Sequence, residues 1–454
     1  MRKQRPGYAC DLRAVDLIAK KRDGLRLEAE ELDWLITAYV GGAVAEEQMA
    51  AFLMAVYLRG MEPDEVAALT MAMAATGKPV DLSSVPGIKV DKHSTGGVGD
   101  KTTLVVAPLV AAAGVAVAKM SGRSLGHTGG TVDKLESIPG PSGPSRGRPV
   151  GVASRGGLSC EMTAARFARQ VRRIGVTIAA QSADMCPADQ RTYSLRNRIG
   201  AVASIPLIAA SVMSKKLAAG ADAIVLDVKC GSGAFMKDLR SARRLARMMV
   251  DIGASAARPT AALVTNMSQP LGCAVGNALE VAEAMAVLRG EGPRDVRELS
   301  LALGARMLLL ARAARDEAAA RRRLETALAD GSALAKFRRM IEAQGGDPEV
   351  VDDPARLPRA ERESPARARQ AGCVRAIDAR AIGEIAHELM RQDGTGAGVV
   401  LLRKRGDRVK RGEPLATIHG GPGVRSAAKA VVEAYAIGPR APRRRPLILE
   451  VIAG

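Results

Sequence analysis

The sequence predicts an α/β protein with a helical lobe, a larger mixed α/β lobe with a central sheet, and a C-terminal α/β module. Three observations predict this. Apolar residues recur at helical spacing between Asp11 and Gly77. From Ile88 the texture changes to short Val/Ile/Leu runs alternating with glycine-rich turns and alanine-rich helices, the pattern of strands with crossover helices. After a stretch rich in Pro, Arg and Glu, strands and turns resume. At 454 residues the chain exceeds the about 250–300 at which single cores stop growing, which argues for two or three lobes.

Taken in order, Leu12, Val15, Leu17 and Ile18, then Leu32, Leu35, Ile36 and Tyr39, then Met49, Phe52, Leu53 and Val56 mark amphipathic helices, with Gly24, Gly41, Gly42 and Gly60 between them. Leu104–Val106 and Val115–Val117 read as strands, Pro139–Gly157 as a flexible surface loop, and Met162–Ile174 as a helix. Ala221–Val228 reads as a buried strand, with Ala261–Thr265 after it in a mixed region. Val399–Ile418 alternates strands with turns at Gly406-Asp407 and Gly412-Glu413-Pro414. The expected boundaries are 1–76 and 159–201 for two parts of the helical lobe, 77–158 and 202–351 for two parts of the α/β lobe, 352–372 for a linker, and 373–454 for the terminal module. No internal repeat is visible.

Composition excludes several classes. With 47% hydrophobic residues the chain can bury a substantial core, so disorder is not its main state. Aromatics are only 2%, leaving Ala, Val, Leu, Ile and Met to pack it. No apolar run reaches the roughly 20 residues a membrane helix needs, and the basic segment Met1–Pro6 lacks the apolar stretch of a secretory signal; the expected location is the cytoplasm, without a membrane partner. Cys10, Cys160, Cys186, Cys230, Cys273 and Cys373 are scattered without metal-ligand or disulfide-framework spacing. Lys+Arg 67 against Asp+Glu 48 gives a net charge of +19. The excess is mostly Arg in linker-like stretches (Arg155–Arg173, Arg356–Arg369, Arg440–Arg445), and few aromatics are available to stack on bases. The expectation is weak, nonspecific polyanion binding on solvated faces, not a specific nucleic-acid partner.

The chemistry concentrates in two runs. Lys92-His93-Ser94-Thr95-Gly96-Gly97-Val98-Gly99-Asp100-Lys101-Thr102-Thr103 combines glycines, which let backbone amides crowd an anion, with hydroxyls that donate to its oxygens and lysines that neutralise it. It lacks the Gly-Lys-Ser/Thr closure of a Walker loop. A second run, Lys119 to Glu136, repeats the inventory after an apolar strand. Loops that each follow a strand of one parallel sheet converge at its carboxyl edge, so one phosphate held from two loops is the simplest inference.

These runs resemble the pyrimidine nucleoside phosphorylase family, which includes thymidine phosphorylase. Ser121-Gly122-Arg123 to Glu136 resembles the family signature and Lys92–Gly99 its phosphate loop. The similarity extends through Tyr193-Ser194-Leu195-Arg196, Ser211 to Lys216, Asp227-Val228-Lys229, Gly231 to Met236, Met267 to Gly272 and Gly412 to Leu415. It implies a fold of the class II nucleoside phosphorylase type, a homodimer formed through the helical lobe, and phosphate and a pyrimidine nucleoside as ligands. The implied reaction is phosphorolysis to free base and (deoxy)ribose 1-phosphate. By the same resemblance Lys92, Ser94, Thr103, Lys119, Ser121 and Thr131 bind phosphate. His93, Arg196, Ser211 and Lys215 are the catalytic and substrate-binding residues: Arg196 and Lys215 face a ring carbonyl and ring nitrogen, Ser211 donates its hydroxyl, and His93 serves the 2-oxo group. Ser211 and Lys215, four apart, would share one helix face. Some members also bind potassium, and the matching positions are Gly99, Lys101, Leu271, Ala274 and Glu283. Lys101 stands where cation-dependent members carry Thr, so its ammonium is expected in the cation's place beside Glu283, with no cofactor required.

His127 is expected to support the turn of the signature, His387 and His419 to face solvent, and Cys230 and Cys273 to fill small packing positions. The chain departs from the family pattern in an apparent insertion over 141–157, in Asn197 where an Asp that would orient Arg196 is usual, and across Met390–Gly398. Substrate breadth divides between the broad uridine-plus-thymidine enzymes, which Lys119-Met120-Ser121 resembles, and thymidine-specific ones, which Lys101 resembles. Among rival readings, a nucleotide (AMP-type) phosphorylase is disfavoured by the lack of an additional N-terminal domain. A phosphoribosyltransferase is disfavoured by the lack of acidic magnesium ligands, and a non-enzymatic polyanion-binding protein by the two loops it would leave idle.

Overall fold

The computed structural model describes residues 12–141, 157–182 and 184–453. The N-terminal basic segment with Cys10 and nearly all of the apparent insertion therefore lie outside the described residues. Four helices come first: α1 (Ala14–Arg22), α2 (Ala29–Gly41), α3 (Glu46–Arg59) and α4 (Pro63–Ala75). Glu31 accepts from the Glu28 amide at 2.7 Å at the start of α2, and Glu65 from the Glu62 amide at 2.8 Å at the start of α4.

The central sheet follows. Strand β1 (Val90–Ser94) leads into α5 (Thr102–Ala112), β2 (Val117–Ser121), the short α6 (Thr131–Leu135), α7 (Ala164–Ile174) and β3 (Val176–Ala180). The chain then forms α8 (Pro187–Arg198) and α9 (Ile205–Ala218) before β4 (Ala223–Cys230), α10 (Leu239–Ser255) and β5 (Thr260–Asn266). β1 to β5 are parallel and lie in the order β5-β4-β1-β2-β3. The order reverses at β1, so loops leaving β1 and β4 diverge and open a crevice at their carboxyl ends.

After β5 come β6 (Ala274–Val275), α11 (Asn277–Leu288), α12 (Arg294–Leu310), α13 (Glu317–Ala329) and α14 (Ser332–Ala343). The remaining elements are β7 (Arg362–Arg367), β8 (Gly372–Ile377), α15 (Ala379–Asp393), β9 (Gly398–Leu401), β10 (Arg408–Val409), β11 (Pro414–Gly420), α16 (Val424–Glu433), β12 (Tyr435–Gly438) and β13 (Ile448–Ala453).

Both faces of the sheet are covered. Val225 of β4 packs with α5, α11 and α12, whereas Ile224, Leu226 and Val228 pack with α9, α10 and the N-terminal helices. A strand buried on both faces carries no polar alternation, which is why Ala223–Leu226 is an unbroken apolar run.

Several boundaries differ from the sequence reading. Leu104–Val106 is helical: α5 is buried on every side, so it shows no amphipathic period to distinguish it from a strand. Segment 159–201 does not belong as a whole to the helical lobe. α7 and β3 join the large sheet, with β3 as its edge strand beside β2, while α8 and α9 pack with α1 to α4 in one core. The expected linker contains β7, which pairs with β11, and β6 of the central lobe pairs with β9, so the terminal module is hydrogen-bonded to the central lobe. β13 returns to the large sheet antiparallel to β5. The arginines of α7 (Arg166, Arg169, Arg172 and Arg173) are exposed along a helix, not in a linker.

Candidate active site

The loops after β1, β2 and β4 meet helices α8 and α9 around a cleft of about 740 Å³, mouth included. One wall carries His93, Ser94, Thr103, Lys119, Ser121 and Thr131; the other carries Tyr193, Arg196, Val202, Ile208, Ser211 and Lys215, with Phe235 beside them. Local conformation makes the first wall possible. A Cβ on Gly130 would lie 2.2 Å from the Ser124 amide nitrogen, so only glycine lets the second loop fold back on itself. α5 starts beside the cleft, with Asp100 and Thr103 at its lip, and a helix N-terminus favours an anion.

Lys92 is the exception among the expected phosphate ligands. It does not line the cleft: its side chain is buried, and the ammonium donates to Thr102 Oγ1 at 2.6 Å and lies 3.5 Å from Asp227. It belongs to a buried network behind the first wall. Lys229 is 2.7 Å from Asp227 and 3.6 Å from Asp100, while the Ser94 hydroxyl donates to Asp100. Lys216 is 2.5 Å from Asp91, and Lys119 shares that carboxylate at 4.0 Å. Lys92, Lys119, Lys216 and Lys229 thus face only Asp91, Asp100 and Asp227. The imbalance is felt by the two groups at the cleft. Burial, then the Lys216 ammonium, pushes Lys119 well below the ordinary lysine range. Burial and the lysines around it, Lys119 foremost, hold His93 well below the usual imidazole value. His93 is therefore neutral near pH 7, and Lys119 Nζ stands 3.5 Å from its Nδ1. A charged Lys119 donates there and leaves the ring proton on Nε2.

The second wall is built from α8 and α9, each with proline in its first turn. Lys215 donates to Ser211 Oγ at 2.9 Å, as their four-residue spacing allows, and to Asp189 Oδ2 at 2.7 Å. Burial lowers the Lys215 pKa while Asp189 opposes the shift. The Arg196 guanidinium donates to the carbonyls of Val202 at 2.8 Å and Leu207 at 3.0 Å. Burial brings its pKa down to about 10. Because backbone carbonyls aim this side chain, Asn197, which is exposed, is not needed to orient it. Sequence reasoning passes over Asp189, whose partner sits on another helix; the available signal is a single acidic residue two positions after Pro187 on a face that buries Thr192 and Arg196.

His127 Nε2 is 3.2 Å from the Gly233 carbonyl and its ring meets Phe235 edge-on at 5.4 Å, a supporting position at the loop. His387 is exposed; His419 instead is half-buried, 3.2 Å from Glu363. The five positions matched to a potassium site do converge, behind the first loop and outside the cleft. Lys101 Nζ donates to the carbonyls of Leu271 at 3.1 Å and Ala274 at 2.9 Å and to the Glu283 carboxylate. Burial opposes its charge, but Glu283 and Glu280 outweigh that and raise its pKa. Gly99 must be glycine, since a Cβ would lie 2.5 Å from the Leu271 oxygen. An ammonium already filling this oxygen set does not fit a resident cation beside it.

A helical bundle joined to a parallel α/β domain, with a cleft where they meet, is the architecture of a glycosyl transferase family: the helical bundle domain of that family matches residues 15–77, and the a/b domain matches 87–142 and 151–334. The pyrimidine nucleoside phosphorylase C-terminal domain matches residues 373–438. The pyrimidine-nucleoside phosphorylase of Geobacillus stearothermophilus is 51% identical over 415 residues, 90% of this chain and 92% of that protein, and that of Bacillus subtilis is 48% identical over the same shares. This chain belongs to the pyrimidine-nucleoside phosphorylase family. The fold is also that of the anthranilate phosphoribosyltransferase of Thermus thermophilus, with TM-score 0.56 and 21% identity over 72% of this chain and 99% of that one. Among the described residues no helix is long and apolar enough to cross a membrane.

Proposed function

We propose that this protein catalyses the reversible phosphorolysis of pyrimidine nucleosides and deoxynucleosides, uridine and thymidine among them, to free base and (deoxy)ribose 1-phosphate in salvage or catabolism. The observation that carries this reading is the division of one cleft. Its sheet wall is backed by four buried lysines against three carboxylates, with Lys119 at the cleft itself, an excess of basic groups that favours a dianion. Its helical wall presents Arg196, Ser211 and Lys215 to a heterocycle.

Phosphate held by Ser94, Thr103, Lys119, Ser121 and Thr131 attacks the anomeric carbon as the bond to the base nitrogen breaks. The nucleophile is already an anion at neutral pH, so positioning matters more than deprotonation. The departing electron pair spreads onto the base carbonyls, where donors held in a water-poor cleft stabilise it. Arg196 and Lys215 supply charge there, Ser211 a hydroxyl, and His93 Nε2–H a proton donor for the 2-oxo oxygen. Closure of the α8 and α9 wall onto the sheet excludes the water that would divert the reaction to hydrolysis. The exposed apolar side chains Val15, Leu58 and Met71 on the N-terminal helices support a homodimer, and the same reading takes it to act in the cytoplasm.

The test is release of base from uridine, deoxyuridine and thymidine with and without orthophosphate. Phosphate-dependent release with matching sugar 1-phosphate is expected, and the relative rates define substrate breadth. Equal release without phosphate, or none with it, overturns the reading.

A further inference from the structure

Loop 270–274 is gripped from two sides by lysines of distant segments. Lys101, at the start of α5, reaches the carbonyls of Leu271 and Ala274 and the Glu283 carboxylate with its ammonium fully buried. Lys404, between β9 and β10, donates to the carbonyls of Pro270 and Gly272 at 2.5 Å and lies 3.4 Å from Asp295, with its side chain partly in solvent. The Lys101 oxygen set is organised independently of the lysine: Glu283 also accepts from the amides of Cys273 at 2.9 Å and Ala274 at 3.0 Å, so the loop wraps this carboxylate by itself. Two carbonyls and a carboxylate around a buried point are the hard oxygen donors that replace the hydration shell of an alkali cation.

We propose that the Lys101 ammonium is a built-in monovalent cation: it braces the first phosphate loop against loop 270–274 in place of a free alkali ion, and its removal recreates a potassium site. Lys101 adjoins Asp100, which takes the Ser94 hydroxyl, and lies two residues before Thr103, which lines the cleft. The brace therefore sets two groups of the phosphate wall without touching a ligand, and Lys101 is a positioning residue. A covalently attached cation cannot be diluted away, so phosphate affinity becomes independent of the salt. In Lys101→Thr the ammonium and stem are gone while the carbonyls and Glu283 remain, leaving a charged, oxygen-lined hole.

The experiment compares wild type, Lys101→Thr and Lys404→Met in potassium chloride and in tetramethylammonium chloride at about 0.1 M, where long-range screening is equal. The readouts are melting temperature and phosphate KM. Wild type is expected to be indifferent to the cation in both. Lys101→Thr is expected to melt higher in potassium, with a phosphate KM at least about tenfold lower than in tetramethylammonium, because an ion that binds only the folded state stabilises it by mass action. Lys404→Met, whose ammonium is hydrated in part, is expected to show no cation preference. This control separates a true ion site from a loosened loop. Folded Lys101→Thr that behaves identically in the two salts overturns the proposal. So does a potassium-specific rise in the melting temperature of wild type, an arm that stands even where the variant does not fold. Melting is read without turnover, so failure here is distinct from failure of the phosphorolysis reading.

Discussion

Replacing Lys215 by Met separates the chemical role of this lysine from its structural one. The Lys215–Asp189 pair is essentially excluded from solvent, with side-chain exposures of 1% and 0%, so its loss is not softened by water. Methionine keeps most of the stem volume and opens little cavity, but it strands a buried carboxylate whose Oδ1 already has no partner. Breaking one side of such a pair costs about 3–5 kcal/mol of stability. Removing one charged donor from a developing anion costs about 10²–10³ in kcat. The double variant Lys215→Met/Asp189→Asn removes the stranded charge as well. Urea unfolding and kcat for uridine at saturating phosphate read the two effects. The single variant is expected to lose both stability and turnover, and the double to regain most of the stability and none of the turnover. Turnover within about threefold of wild type in the single variant, or recovered turnover in the double, would refute a direct role for Lys215 at the departing base.

Two further outcomes follow from the same geometry. Phosphate KM should rise on the alkaline side, at a pH well below that at which an ordinary lysine titrates: Lys119 has a depressed pKa in the free protein and a bound dianion favours its charged form, so above that pKa phosphate must bring a proton in with it. Steady-state kinetics should find this alkaline limb in wild type and lose it in Lys119→Gln, whose KM is high throughout; a flat wild-type profile would mean that Lys119 does not titrate against phosphate. Gly383→Ala tests the docking of α15 on the second phosphate loop, since its Cβ would lie 2.6 Å from the His127 carbonyl and 2.9 Å from Val98. Overpacking of this kind costs about 1–3 kcal/mol. The phosphate KM should rise several-fold with a smaller change in kcat, and unchanged kinetics would show that the terminal module does not bear on the loop.

How much of this was legible depends on the range of each interaction. The two loops that line the cleft can be read from the chain because glycine, hydroxyl and lysine lie close together along it and their chemistry is local. Ser211 and Lys215 can be paired because four residues make one helical turn. β3 carries its signal too, as the unbroken run Val176-Thr177-Ile178-Ala179-Ala180 of a doubly covered strand. α5 does not: a helix buried all round and a buried strand look alike when apolar period is the only guide.

The sequence by itself determined the lobes, the two loops of glycine, hydroxyl and lysine, and the family, because these rest on periodicity and on motifs whose parts are neighbours along the chain. Tertiary structure alone decided which charges meet. Asp91 with Lys216 and Asp189 with Lys215 are separated by 125 and 26 positions, and Glu283 with Lys101, 182 apart, was legible only through the family resemblance. Their pairing is set by how strands and helices stack, and a buried ammonium without its distant carboxylate would lose more on desolvation than any local preference returns.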